Sequence, residues 1–315
     1  IPQFDEAINS ALQADPNHAP AKKLDDLRRT LRQPLPESGG DDKTLRDLIG
    51  EGMYFKRSAH YVLAHDKPVA ERGGEKRINE RLALLERVYE SYFLWFAMKG
   101  VELTPPPQRL MGVLFNDHAN FQALVERLDP DLKRALGFWD RRHNVLVFYA
   151  QDSDDWGKEI LKDAEEWQKL KKLVLEGRLQ GGGDLRRLAD TFDLLIQIVI
   201  EEWDISVVTH EATHQLAGNS GLLPREVAMP RWVHEGLATY FESPKEAAWA
   251  GIGAVNAERL DWYRLLEEVR KEIDTPLDIE FVVTDKIFTE LGGELGNLVA
   301  YGQAWAVTHF LMSKH

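Results

Sequence analysis

The sequence predicts an α+β protein, with a small sheet in its first half, helices in its second, and a helical hairpin ahead of both. Three observations carry this. Runs rich in aromatic and β-branched residues fall at residues 54–64, 109–115 and 135–150, all before residue 151. Apolar residues recur at helical spacing over residues 184–217, and further helices are read at 230–242 and 298–312. The 315 residues are 43% apolar and 29% charged, which suffices to bury a core. The length suits about two domains, here a hairpin with its linker over residues 1–40 and a main domain over 41–315.

The hairpin consists of two amphipathic helices, residues 4–14 and 20–31, separated by Asp15-Pro16-Asn17-His18. Asp15 suits a cap and Pro16 a first helical turn. Residues 11–21 resemble the join between successive tetratricopeptide repeats, over about one repeat. Such a unit cannot bury its apolar face alone, so it packs on the main domain or continues an array, and an ordinary helical hairpin is an equal alternative. The resemblance implies a protein partner held by these helices. Pro, Gly and acidic residues then gather over residues 33–42 as a linker.

A strand or hairpin is expected over residues 54–64, a helix over 75–99 ended by Pro105-Pro106-Pro107, a strand at 109–115 and a short helix at 119–128. Residues 135–150 place a polar centre between two apolar runs, which predicts a second hairpin. The charged helix over 158–176 reads as a solvated face, and Gly181-Gly182-Gly183 separates it from a long helix over 184–217.

Composition excludes several functions. With 39 Lys+Arg against 52 Asp+Glu the net charge is −13, the wrong sign for binding nucleic acid through its phosphates. No apolar run approaches the ~20 residues that span a bilayer, so no membrane insertion is expected. Without cysteine the chain has no disulfide, thiol nucleophile or thiolate metal site, and any metal is held by nitrogen and oxygen. The compartment stays open: an acidic, cysteine-free chain is compatible with an exported, extracytoplasmic bacterial protein and equally with a cytosolic one.

Near the end of the 184–217 helix stands His210-Glu211-Ala212-Thr213-His214. Histidines at i and i+4 share one helix face, so both imidazoles reach a single cation while Glu211 stands beside it. The apolar residues 205–208 bury this part of the helix, and buried histidines with a glutamate need a compensating partner, most economically Zn²⁺. A third histidine six residues after the second is ruled out, because position 220 is Ser. After the turn-rich residues 218–224, a second helix over 230–242 carries Glu235, which completes a His₂Glu site with a fourth position open, an arrangement of catalytic rather than structural sites. Glu211 would then serve as the acid–base group, taking a proton from a water that zinc would activate and passing it to the leaving amine. Gly236 either opens room where the second helix approaches the first or has a plain packing explanation. Thr239 and Glu242 lie four and seven residues after Glu235 on its face, so each either hydrogen-bonds a ligand or is an ordinary helix residue. His234 points to another face and is not expected to bind the metal.

The two motifs resemble the gluzincin metallopeptidases. Trp232-Val-His-Glu-Gly-Leu-Ala-Thr-Tyr240 is similar to the Trp-x-x-Glu-Gly helix of aminopeptidase-N-like enzymes. Together with His210–Leu216 and Tyr301-Gly-Gln-Ala-Trp305 it resembles, more closely, the peptidase-MA-like zinc peptidase family. The resemblance spans roughly residues 50–315 and is specific over 205–242. It implies a two-lobed zincin fold, with a small mixed sheet and the zinc helix in 41–218 and a helical lobe in 219–315. One edge strand of that sheet is expected along the cleft, within residues 145–150, pairing with substrate backbone. Tyr301 is the expected oxyanion donor, because its distance after the third ligand resembles that of the family's catalytic tyrosine; simple packing is the even alternative, and His309 a weaker substitute.

The implied activity is zinc-dependent hydrolysis of peptide bonds in a peptide or protein substrate. The Gly-x-Met-Glu-Asn segment that holds the free amine in aminopeptidase-N-like enzymes has no match between residues 100 and 150, which favours an endopeptidase. The rival readings are a non-catalytic zinc-binding relative and a tetratricopeptide-linked scaffold for partner peptides.

Overall fold

The structure, a computed structural model, describes residues 2–37, 39–66, 74–179, 182–242, 252–270, 279–291 and 293–314. The chain opens with α1 (Pro2–Ala14) and α2 (Ala19–Leu31). Asp15 does not cap α2; it accepts from the Asn17 amide (2.9 Å) and turns the chain, and His18 is the cap, its Nδ1 accepting from the Ala21 amide (3.2 Å). Pro20, not Pro16, therefore fills the first helical turn, where its missing N–H has no partner to lose. Asp5 of α1 accepts from both Arg28 of α2 and Arg32, the residue that caps its C-terminus, so the two helices are tied by charge as well as by apolar contact.

The hairpin packs on the main domain. Leu31 is fully buried, and Arg32 bonds Glu90 in α4 (Gly74–Met98). Residues 33–37 are held against the sheet rather than acting as a free linker: the Leu35 amide bonds Ala59 O (2.9 Å) and the Arg109 amide bonds Pro36 O (3.0 Å). Residues 41 and 42, read as linker from their Gly-Gly-Asp-Asp context, start α3 (Asp41–Ile49), which buries Leu45 and Leu48.

Five strands follow in the predicted places: β1 (Tyr54–Arg57), β2 (Tyr61–His65), β3 (Leu110–Phe115), β4 (Gly137–Asp140) and β5 (Val145–Tyr149). Their order is β1-β2-β3-β5-β4, with β2, β3 and β5 parallel and the two outer strands antiparallel to their neighbours, so the sheet is small and mixed. The period of two divides the strand residues between two cores. Tyr61, Leu63, Leu110, Leu114, Leu146 and Phe148 face α4 and α7 (Gly182–Asn219). Val62, Met111, Val113, Val145 and Val147 face α3 and α5 (His118–Leu128). A strand buried on both faces is central, and β5 is one: the edges of the sheet are β1 and β4, and the edge next to residues 145–150 is β4, not those residues themselves.

Helix α6 (Asp155–Leu175) and the first half of α7 form an arm of two paired helices, while the second half of α7 runs beneath the sheet. There Gln215 donates to the carbonyls of Met111 and Asn144, both at 3.0 Å, and Val208, Ala212, Leu216 and Ala217 are buried. Behind α7 come α8 (Arg231–Phe241), α9 (Ala257–Arg270), the single turns α10 (Ile279–Val283) and α11 (Lys286–Glu290), and α12 (Gly293–Lys314). Pro230 precedes α8 as its N-cap residue.

Gly236 does open room, but for α12 rather than α7: a Cβ there would lie 2.2 Å from Thr308 Oγ1 and 2.6 Å from Ala304 O. Because a backbone carbonyl cannot rotate away, Gly236→Ala forces α8 and α12 apart. The expected cost is about 1–3 kcal/mol of stability, which thermal or denaturant melts of wild type and variant check.

Candidate metal centre

Helix α7 presents His210 and His214 on one face, and α8 brings Glu235 against them. His210 Nε2 lies 3.1 Å from His214 Nε2 and 3.1 Å from Glu235 Oε2, and His214 Nε2 lies 3.4 Å from the same oxygen. A tetrahedral cation with ligand bonds of about 2.0–2.1 Å separates its ligand atoms by about 3.3–3.4 Å. The three donor atoms therefore stand close to three corners of such a tetrahedron, and among the described residues they are the group able to hold a metal. Two nitrogens and one oxygen at this spacing suit Zn²⁺. The side chains are 11%, 12% and 14% exposed, so the site is nearly dry yet reachable.

A second layer fixes His210. Glu242, one residue past α8, accepts from His210 Nδ1 at 2.6 Å, which places the ring proton on Nδ1 and leaves the Nε2 lone pair for a cation. Glu242 is itself held by Arg259 (Nε to Oε2 3.0 Å, Nη2 to Oε1 3.1 Å) and by Asn256 Nδ2 (3.2 Å). Burial alone would lower the His210 pKa, but hydrogen bonds to Glu235 and Glu242 outweigh it and raise it to about 10. Burial likewise opposes ionisation of Glu235, and the two histidines nonetheless hold it well below the usual carboxylate range. The cluster is thus built around a positive charge.

Removing Glu242's charge should loosen His210 while leaving every ligand in place. Glu242→Gln is expected to weaken zinc binding by about 10–100-fold, measured by competition with a chromophoric chelator.

Glu211 is one residue from His210 and so turns off the ligand face. Its carboxylate accepts from the backbone amide of Trp139 in β4, and burial raises its pKa against the pull of His210 and His214. Gly137 allows this approach, since a Cβ there would sit 2.8 Å from Val207 Cγ1 and 3.4 Å from Glu211 Cγ. The edge strand β4 thus runs directly past the glutamate. Tyr301 of α12 closes the other side, its ring centroid 6.0 Å from that of His210. Burial keeps its hydroxyl protonated, Glu235 reinforces this, and Arg231, which bonds the hydroxyl, pulls the other way.

The structure therefore assembles His210, Glu211, His214, Glu235 and Tyr301 at one place. Of the two undecided residues, Glu242 holds a ligand and Thr239 does not: its hydroxyl bonds the backbone carbonyls of Glu235 and Gly236. His309 is not a substitute for Tyr301, for it stacks on Trp305 (5.1 Å) and lies beside Tyr240. His234 is absent from the donor group; its ring lies 6.2 Å from that of His214. Arg231, Asn256 and Arg259 were not foreseen, since nothing in their local sequence separates them from other helix-terminal polar residues.

Residues 204–315, which contain all of these residues except Gly137 and Trp139 of β4, match a family described as "Protein of unknown function (DUF1570)". No curated protein and no solved structure matches the chain.

Proposed function

We propose that the chain is a zinc-dependent peptidase of gluzincin type, cutting within peptides rather than removing an N-terminal residue. The observation that carries this is the donor set His210, His214 and Glu235 with an acid–base carboxylate, Glu211, beside it and outside it. A zinc ion held by those three residues would supply Lewis acidity to a substrate carbonyl and bring the pKa of a water towards about 7.

The remaining steps fall to the chain's own groups. Glu211 takes the proton of the attacking water as its oxygen joins the carbonyl carbon, then delivers that proton to the amide nitrogen as the C–N bond breaks. Its raised pKa suits both tasks. Tyr301, kept protonated, donates to the carbonyl oxygen as negative charge develops there. Peptide is the favoured substrate because the outer edge of β4, beside Glu211, offers backbone groups for an extended chain to pair with. Glu211, intact and buried beside the donors, speaks against a relative that only binds zinc.

The test is zinc content by elemental analysis together with cleavage of a mixed peptide library. About one zinc per chain and cuts at internal bonds support the proposal; a metal-replete chain that cuts nothing favours the binding relative. Tyr301→Phe should keep its zinc and lower kcat by about 10²-fold with little change in KM, which steady-state kinetics on a cleaved library peptide would reveal.

A further inference from the structure

The arm formed by α6 and the first half of α7 takes no part in the metal site, and its sequence asks for more burial than the chain gives it. Residues 188–200 (Leu-Ala-Asp-Thr-Phe-Asp-Leu-Leu-Ile-Gln-Ile-Val-Ile) are apolar around most of the helix, with Asp190, Asp193 and Gln197 as one narrow polar stripe, a pattern that asks for more than one apolar neighbour. Helix α6 covers one side: Ala189 is fully buried, Phe192 stacks on Trp167 at 4.7 Å, and Lys171 pairs with Asp190. Among the described residues nothing covers the other side. Leu188, Leu194 and Leu195 are 43%, 58% and 50% exposed, and Leu161 and Leu175, which share one face of α6, are exposed too. Exposed apolar surface of this extent marks an interaction site.

Charge along the arm says what covers it. The distal half, residues 167–192, carries six Lys and Arg against three Asp and Glu. The proximal half, residues 155–166 and 193–204, carries two against nine. A basic tip and an acidic base on one rod make the rod complementary to a reversed copy of itself. Two arms laid tip to base bring opposite charges together at both ends, whereas parallel arms set like against like. The size is adequate. Helix α6 has 21 residues, so the arm face is about 30 Å long and about 20 Å wide, or on the order of 600 Å² per copy before side-chain interdigitation. That approaches the roughly 800 Å² per partner of a standard specific interface.

We propose that the arm is a dimerisation device: two copies of this chain pack their α6–α7 arms antiparallel, tip against base, into a four-helix bundle. The contact is isologous and closes on itself, so it yields a dimer and not a filament. It sets the two metal sites at opposite ends of the bundle, and it stands independently of the reaction proposed for them.

Sedimentation velocity on the whole chain from about 1 to 100 µM, at low and high salt, tests it. The expected species is twice 36.0 kDa, about 72 kDa, and dissociates more readily as salt rises. Leu194→Lys with Leu195→Lys, at positions already open to solvent, should give a folded monomer with an unchanged circular dichroism spectrum and unchanged zinc content. Lys169→Glu with Lys172→Glu at the tip, and separately Glu159→Lys with Glu166→Lys at the base, should each weaken self-association at least about tenfold, and the two variants mixed should form a heterodimer. A wild type that stays monomeric to about 100 µM at low salt overturns the proposal, and so does a dimer that survives the double leucine substitution.

Discussion

Glu211→Gln is expected to abolish peptide cleavage while the protein keeps its zinc and its fold. The side chain turns away from the ligand face of α7, and the donor group consists of His210, His214 and Glu235 without it. The amide is nearly isosteric and its oxygen still accepts from the Trp139 amide, so the contact between α7 and β4 survives. What disappears is the acid–base capacity proposed for it, to take a proton from water and return it to the leaving nitrogen. General acid–base catalysis typically contributes 10²–10⁴-fold, and here one group serves both steps, so kcat should fall by about 10³-fold or more with KM little changed. Three measurements separate the alternatives: elemental zinc, far-UV circular dichroism and single-turnover cleavage. A variant that keeps both zinc and activity would remove Glu211 from the chemistry. One that loses zinc would show a structural role instead.

The donor group was legible in the sequence to the extent that it is local. His210 and His214 sit one helical turn apart, and that spacing alone puts both rings on one side. Glu235 required a second helix to fold back, which the turn-rich residues 218–224 and Pro230 indicate. Glu242 was visible as a carboxylate on the right face but undecidable, because its role depends on a contact with His210 across two helices and on Arg259 from a third. Thr239 had the same spacing credentials and spends its hydroxyl on its own helix backbone, the common habit of Thr inside a helix.

Strand positions were legible and strand order was not. The misplaced edge could have been read from the two segments themselves. Val145–Tyr149 is apolar at every position, the signature of a strand covered on both faces, whereas Gly137–Asp140 is short and ends in an acid, as edge strands do. Helix α3 was hidden by the glycines before it, although Leu45, Leu48 and Ile49 repeat at helical spacing.

Glu235→Ala should cost the protein its metal, and the reason lies in how charge is balanced around His210. Three carboxylates, Glu211, Glu235 and Glu242, converge on two imidazoles; Arg259 pairs with Glu242 and Arg231 stands 3.6 Å from Glu235, and although burial lowers the His210 pKa, hydrogen bonds to Glu235 and Glu242 raise it to about 10, so a proton on His210 adds to the balance in the metal-free chain. Zinc binding would displace that proton, so its affinity is expected to fall as pH is lowered. Removing Glu235 withdraws the one anionic ligand and leaves two neutral donors, too few for a tight zinc site. Affinity should drop by at least about 10²-fold, enough to empty the variant on dialysis. The readout need not be activity. Zinc at about 1,000 times its Kd stabilises a chain that binds it only when folded by about 4 kcal/mol, so the melting temperature of metal-free wild type should rise clearly on zinc addition and that of Glu235→Ala should not. Glu235→Gln, which keeps the volume and loses the charge, should follow the alanine variant. If both variants shift with zinc as the wild type does, the third ligand is some other residue; if the wild type itself shows no shift and takes up no zinc on reconstitution, the cluster is a buried ion-pair network and the peptidase reading falls with it.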